Sequence, residues 1–173
     1  MRNIAAEAGV SEPAIYRHFA SRSDLLGHLF LQCAGLLYDA LAAAGQGAAS
    51  PLAEVSLMAG AFFDFAFARP DEYAFIVAVH QQQLRNLDPP DARLPKDLFV
   101  EAVRRLQKRN GGAAAPPSLV AGAMVGIVIG TVLFATTGHT KASRKVCREY
   151  VTRSVTDLAR SSCKRATLES EEA

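Results

Sequence analysis

The cysteines and histidines of the chain lack the spacing of a catalytic or metal site. The three cysteines form no CxxC pair, and the four histidines form neither HxxxH nor HExxH. These residues are Cys33, Cys147, Cys163, His18, His28, His80 and His139. The sequence also contains no GxSxG and no glycine-rich phosphate loop. We therefore expect no catalysis, no metal and no cofactor, and free thiols in a cytoplasmic protein.

The first twenty residues have the types and spacing of a helix-turn-helix unit, which reads base edges in the major groove of double-stranded DNA. Gly9 falls where the turn between two helices needs a positive φ, and Ser11 can cap the second helix. The helices would meet through small and apolar side chains, with Val10 inserted into the pocket between them. The other members of that set are Ile4, Ala5, Ala8, Ile15 and Phe19. The pattern predicts a DNA-binding head.

The second helix of this unit would present its first turn and one side to the groove. Glu12, Pro13 and Ala14 occupy that turn. The carboxylate of Glu12 can accept from a cytosine amino group, and the apolar groups can touch a thymine methyl. Arg17 has the shape for a bidentate contact to guanine, although a phosphate contact or a solvated charge is an equal alternative.

Helical periodicity runs through nearly the whole chain, without the alternation of a strand. After the head, helices are predicted over 22–44, 51–68, 71–83, 95–109, 118–137 and 142–161, with a proline-rich loop over 88–95. Half of the residues are apolar and 21% are charged, which excludes a disordered chain, and a net charge of +2 excludes a polycation. We expect an all-α protein with a boundary near residue 45.

The uncharged run 119–135 is a candidate membrane span. At about 1.5 Å per residue it would reach about 25 Å, which is less than the roughly 30 Å of a hydrocarbon core. A buried helix is the better prediction, and we expect no membrane partner. Gly122, Gly126 and Gly130 recur every four residues within it and would let another helix approach closely. That helix could belong to the same chain or to a second subunit.

The stretch IAAEAGVSEPAIYRHFASRSDLL, residues 4–26, resembles the signature of the TetR/AcrR family of transcriptional regulators. In that signature a turn glycine and an apolar residue lead into a recognition helix ending in Tyr-x-x-Phe, and a Ser-basic-x-acid-Leu-Leu segment begins a long helix. The resemblance implies that residues 1–45 form a DNA-binding head with its connecting helix, and that residues 46–173 form an effector-binding and dimerisation domain. It also implies a repressor that binds a palindromic operator as a homodimer and is released by a hydrophobic small molecule.

One departure from the family concerns the head. The family's first helix would precede Ile4, so we expect the helix-turn-helix head to be incomplete and loosely packed. A truncated ligand-binding and dimerisation module that no longer binds DNA is therefore the alternative function.

The resemblance assigns Tyr16 and His18 to the DNA backbone, and both side chains are long enough to reach a phosphate. A plain packing role is the alternative for both. Arg22 begins the next helix, where the family usually has lysine, and can combine its charge with the free N–H groups there. Arg2 is a further phosphate candidate.

In the family, an effector cavity lies among the middle helices. The side chains expected to form it here are mostly aromatic rings and thioethers, although ordinary core is the alternative for each of them. His80, Gln81, Gln83 and Thr131 are the candidate polar anchors. The predicted set is Met58, Phe62, Phe65, Phe75, His80, Phe99, Met124 and Thr131. The dimer interface would combine the glycine ridge with a stripe on the last helix. That set is Gly122, Gly126, Gly130, Cys147, Tyr150, Val151 and Leu158.

Overall fold

A computed structural model describes residues 1–83 and 93–163, without the side chains of residues 80–83. Within those residues the chain forms eight α-helices and no strand, which confirms the predicted all-α class. The helices are α1 (Arg2–Glu7), α2 (Glu12–Tyr16), α3 (Arg22–Gly45), α4 (Pro51–Ala68), α5 (Pro70–Gln83), α6 (Pro95–Arg109), α7 (Pro117–Thr136) and α8 (Arg144–Ser161). Most of the loop predicted over 88–95 lies outside the described residues, and Pro95 already belongs to α6.

Serine side chains set the starts of four helices. Ser11, Ser21, Ser50 and Ser143 each accept a hydrogen bond from the backbone N–H three residues later, at 3.0–3.3 Å. This contact satisfies one of the N–H groups that a helix start leaves without an intrahelical partner. Ser21 also belongs to a capping box, because the Asp24 carboxylate accepts the Ala20 N–H at 2.9 Å.

Helices α3 to α8 enclose one apolar core with α4 at its centre. α4 contacts each of the other five, and it buries Val55, Met58 and Phe63 almost completely. Its central position follows from its composition, because a helix that is apolar nearly all round gains from burial on every side.

Ion pairs join α4 to its neighbours at the edge of this core. Arg105 of α6 donates to both oxygens of Glu54, at 2.7 and 2.6 Å. Arg148 of α8 donates from Nε to the Asp64 carboxylate at 2.7 Å, and Arg144 lies over the Phe67 ring at 4.4 Å from its centroid. These contacts fix the rotation of α8 relative to α4.

A second, much smaller core holds the head together. Ala5 of α1, Ile15 of α2 and Leu25 of α3 are its buried members, and Met1, Ile4 and Phe19 pack against them partly exposed. The prediction that Val10 fills a pocket is wrong, because its side chain is 47% exposed and no described residue covers it. The loose packing of the head stays a prediction, and the described residues show a buried cluster of three side chains there.

Helix α7 is apolar on all sides but is buried on one side only. Val120, Met124 and Val128 face the core, whereas Leu119 and Phe134 are exposed. The prediction of a buried helix therefore holds for one face. Three helices, α3, α4 and α7, are long and apolar enough to cross a membrane by length and composition alone. The absence of a membrane partner stays a prediction.

Candidate nucleic-acid interface

The turn between α1 and α2 has the geometry that the sequence predicts. Gly9 adopts φ +66°, and the Gly9 and Val10 N–H groups donate to the carbonyls of Ala6 and Ala5 at 3.2 and 3.0 Å. A side chain at position 9 would strain this conformation, because residues with a Cβ rarely adopt it. The turn therefore sets the angle at which α2 leaves α1.

Two contacts hold α2 in place. Ile15 is buried in the core of the head, and the Ser11 side chain accepts a hydrogen bond from the Ala14 N–H at the start of the helix. Pro13 is exposed at the surface, whereas Glu12 and Ala14 are partly buried. Together with Tyr16 and Arg17, Glu12 and Pro13 line a shallow depression. Its mixture of a carboxylate, a ring and a guanidinium offers both acceptors and donors to base edges.

The three candidates with donor groups lie side by side at the end of this helix. Tyr16 is the last residue of α2 and is 50% exposed, and Arg17 and His18 follow it in an exposed turn. The turn is held by the Arg17 and His18 N–H groups, which donate to Pro13 and Ile15 at 3.2 and 3.0 Å. The recognition helix thus has five residues, and the cationic candidates lie just beyond it.

Arg22 and Arg2 stand at the starts of α3 and α1, and both are exposed. A helix start favours an anion because its N–H groups point outward along the helix dipole. At α3 the Asp24 carboxylate already occupies part of that position, since it binds the Ala20 N–H and lies 3.2 Å from Nδ1 of His28. A phosphate at Arg22 would therefore depend on the guanidinium more than on the helix.

An apolar cavity of about 230 Å³ lies among α3, α4, α5, α6 and α7. Its described lining consists of Phe30, Ala34, Leu37, Phe62, Ile76, Val77, Leu94, Pro95, Lys96, Phe99, Val125 and Ile129. Of the predicted effector residues, Phe62 and Phe99 line it. A phenylalanine or a leucine can line a cavity or fill the core, and its sequence context does not distinguish the two. The sequence therefore did not predict that α3 and the start of α6 line this cavity.

The other predicted effector residues lie elsewhere. Met58, Phe65 and Met124 are buried in the core, and Phe75 packs against it. The prediction that Thr131 is a polar anchor of the cavity is wrong. Its hydroxyl donates to the Ile127 carbonyl at 2.8 Å, and Thr131 lines a groove on the other side of α7. The side chains of His80, Gln81 and Gln83 lie outside the described residues.

That groove runs along the outer surface between α7 and α8. Gly126, Gly130, Phe134, Val146 and Tyr150 are among the residues that line it. A Cβ at Gly122, Gly126 or Gly130 would meet no atom within 4 Å, so the glycine ridge packs against nothing within the described part of this chain. Tyr150 is exposed and Leu158 is half-buried. Val151 is wrong as an interface residue because it is fully buried in the main core, and Cys147 is buried at the floor of the groove.

Comparison with known proteins gives a family match in the head and similar solved structures for the fold. Residues 1–29 match the family described as bacterial regulatory proteins, tetR family. A protein with unknown function from Rhodococcus sp. RHA1 has a similar structure, with a TM-score of 0.68 and 26% identity over 94% of this chain and 84% of that one. No curated protein sequence matches the chain.

Two solved TetR-family transcriptional regulators share the fold. The one from Streptomyces coelicolor gives a TM-score of 0.57 at 16% identity, and covers 94% of this chain and 84% of its own. PfmR from Thermus thermophilus gives a TM-score of 0.58 at 18% identity, and covers 95% of this chain and 88% of its own. The head thus matches the family's sequence model over residues 1–29, and the described helices share the fold of these two regulators.

Proposed function

We propose that the protein is a cytoplasmic repressor that binds a palindromic operator as a homodimer and is released by an apolar small molecule. The observation that carries this proposal is the adjacent exposure of Tyr16, Arg17 and His18 at the end of a capped helix. Aromatic hydroxyl, guanidinium and imidazole groups in one exposed segment suit contacts to phosphates and base edges.

The proposed homodimer is supported by the outer surface of α7 and α8. One head reads a half-site, so a specific regulator needs two heads about 34–36 Å apart. The uncovered glycine ridge would allow a second copy of α7 or α8 to approach closely, and Phe134 and Tyr150 would supply apolar area around it. A two-fold axis through this groove would use the same patch on both subunits.

The proposed release by a ligand is supported by the path of α3. Leu25 of this helix packs with Ile15 in the head, and Phe30, Ala34 and Leu37 of the same helix line the cavity. A ligand that displaces these three side chains would shift α3 and with it the seat of α2. In a dimer, that movement would change the separation of the two heads.

Fluorescence anisotropy with labelled DNA from upstream of the protein's own gene tests the DNA contact. Arg17→Ala should weaken specific binding by about 1–3 kcal/mol if it reads guanine. Arg22→Ala should weaken specific and non-specific DNA alike, and should reduce the salt slope by about one. Arg109→Ala, which removes an exposed charge at the far end of α6, is the matched control and should bind like wild type.

A ligand-binding and dimerisation module that does not bind DNA is the second candidate. It is favoured by the small separate core of the head, whose buried members among the described residues are Ala5, Ile15 and Leu25. If wild-type protein ignores the upstream DNA at low salt while it still dimerises, the second candidate replaces the first.

A further inference from the structure

We propose that the cavity among α3 to α7 takes a medium-chain carboxylate, with its hydrocarbon tail inside and its carboxylate at Lys96. This inference rests on the proposed function in one respect, the use of the cavity as the effector site. It adds the chemical class of the effector and names the residue that selects it.

The cavity wall requires an apolar tail. Apart from Lys96, the described residues that line it have hydrocarbon side chains, and three of them, Phe30, Leu37 and Phe99, are almost completely buried. A hydroxyl or amide placed there would give up its hydrogen bonds to water and find no side-chain partner among the described wall residues. An alkyl chain makes no hydrogen bonds to water that it could lose, and its burial is favourable in free energy.

The volume limits the length of the tail. A dry cavity of about 150 Å³ can hold benzene, with its six carbon atoms. By the same ratio, the 230 Å³ of this cavity would hold about nine non-hydrogen atoms. A saturated chain of about eight carbons fits that space, whereas a chain of sixteen does not.

The polar end of the ligand belongs at the start of α6. Lys96 lies in the first turn of that helix and is the charged residue among the described lining, and its side chain is 44% exposed, so it lies both at the cavity and in contact with water. Its ammonium lies 3.1 Å from Oδ1 of Asp97, which uses one of its three donors. The other oxygen of Asp97 accepts the Leu94 N–H at 2.9 Å and is thereby committed to the helix start.

A carboxylate fits this position better than a cation or an alcohol. The ammonium retains donors for a second carboxylate, with which it would form an ion pair as well as hydrogen bonds. The start of α6 adds little to this, because Pro95 has no N–H and the Asp97 N–H already donates to the Leu94 carbonyl at 2.9 Å. A cationic head would meet repulsion from the ammonium, and a hydroxyl could accept a hydrogen bond from it without the attraction of opposite charges. Because Asp97 shares the ammonium and water reaches it, the preference for a carboxylate should be modest.

Isothermal titration at pH 7 with octanoate and octan-1-ol tests the assignment, since the two differ in the charge of the head. Wild type should bind octanoate about five- to tenfold more tightly than octanol. Lys96→Met keeps the apolar stem and should abolish that preference while it still binds octanol. Lys108→Met, an exposed lysine at the other end of the same helix, should retain the preference.

Two results would overturn the proposal. Equal affinity of wild type for octanoate and octanol would remove the carboxylate from it, and an absence of binding by either compound would remove the cavity. Lys96→Gln provides a second variant if Lys96→Met does not fold, and should lose the same preference. Fluorescence anisotropy of labelled DNA with the ligand-free protein measures DNA binding separately. A lack of ligand binding by the cavity is therefore distinguishable from a lack of the proposed DNA-binding function.

Discussion

The guanidinium of Arg148 lies directly against the backbone of Gly60. A Cβ at Gly60 would stand 2.7 Å from one guanidinium nitrogen and 3.0 Å from the guanidinium carbon. The same guanidinium continues past Gly60 to the carboxylate of Asp64, one turn further along α4. The ion pair between α8 and α4 therefore depends on a glycine beneath it.

Replacement of Gly60 by alanine should have two opposite effects on the free energy of unfolding, and a double-mutant cycle separates them. Alanine favours the helix by about 0.5–1 kcal/mol, but its methyl group would push the flexible Arg148 side chain from Asp64. Since this ion pair is half-exposed, its loss costs about 0–1 kcal/mol, so the effect of Gly60→Ala alone should lie between about 0.5 kcal/mol of destabilisation and about 1 kcal/mol of stabilisation. In an Arg148→Ala background the same change should stabilise by about 0.5–1 kcal/mol. Urea unfolding measures both, and equal effects in the two backgrounds would contradict the contact.

The serine caps of α3 and α4 offer a matched pair. Ser21→Ala and Ser50→Ala each remove one side-chain bond to a helix N–H, at 3.0 and 3.1 Å, and each should weaken its helix start by about 1 kcal/mol. Because Arg22 directly follows Ser21, we expect only Ser21→Ala to lower DNA affinity as well. Anisotropy and urea unfolding of both variants test this expectation. A similar loss of DNA affinity in Ser50→Ala would show a general effect of stability.

The glycine ridge predicts a substitution that separates association from folding. Gly126→Leu should stabilise its helix by about 0.8 kcal/mol, yet fill the groove and weaken the proposed dimer by about tenfold or more. Gly35→Leu in α3 is the control, because a Cβ at either position would meet no atom within 4 Å. Sedimentation equilibrium across a concentration series gives the dimer constant. Retention of the wild-type constant in Gly126→Leu would exclude this groove as the interface.

The phenol of Tyr73 predicts a loss of stability at alkaline pH. Its burial, beside Phe62, raises the pKa of Tyr73 from 10.0 to about 12. Because the folded protein holds this proton more tightly than the unfolded chain, the contribution is complete below about pH 10 and is lost as the pH rises towards 12. Tyr73→Phe should therefore lose less stability than wild type between about pH 9 and pH 11.

Urea unfolding at those two pH values measures the difference. Tyr150→Phe is the control, since the Tyr150 ring is 54% exposed, and it should behave like wild type. An equal loss of stability in Tyr73→Phe and in wild type would assign the alkaline destabilisation to other groups.

Helix boundaries were predictable because they depend on local chemistry. Helices α3 and α4 begin at residues 22 and 51, as the sequence predicts, and Gly9 makes the turn of the head. The exposure of Val10 was not predictable, because it depends on whether another element covers that side of the head. Local signals reach a few residues along the chain and do not report such a cover.

The residues that line the cavity and the groove could not be predicted from periodicity, because they depend on how the helices pack. The stripe on α8 contains Tyr150 and Val151, which are adjacent in sequence yet lie on the outside and in the core. Phe62 lines the cavity and Phe65, one turn later, fills the core. Lys96 was missed because a lone lysine in the first turn of a helix is usually solvated, and only the cavity beside it gives it a candidate role.

The buried cluster of the head and that of the bundle have no member in common. Substitutions at residues 12–18 therefore remove no member of the bundle's buried cluster, and substitutions around Phe99 remove none of the head's, while α3 joins the two through Leu25 and Phe30. After gene duplication, two descendants of such a protein are free to diverge at one end while they inherit the other unchanged.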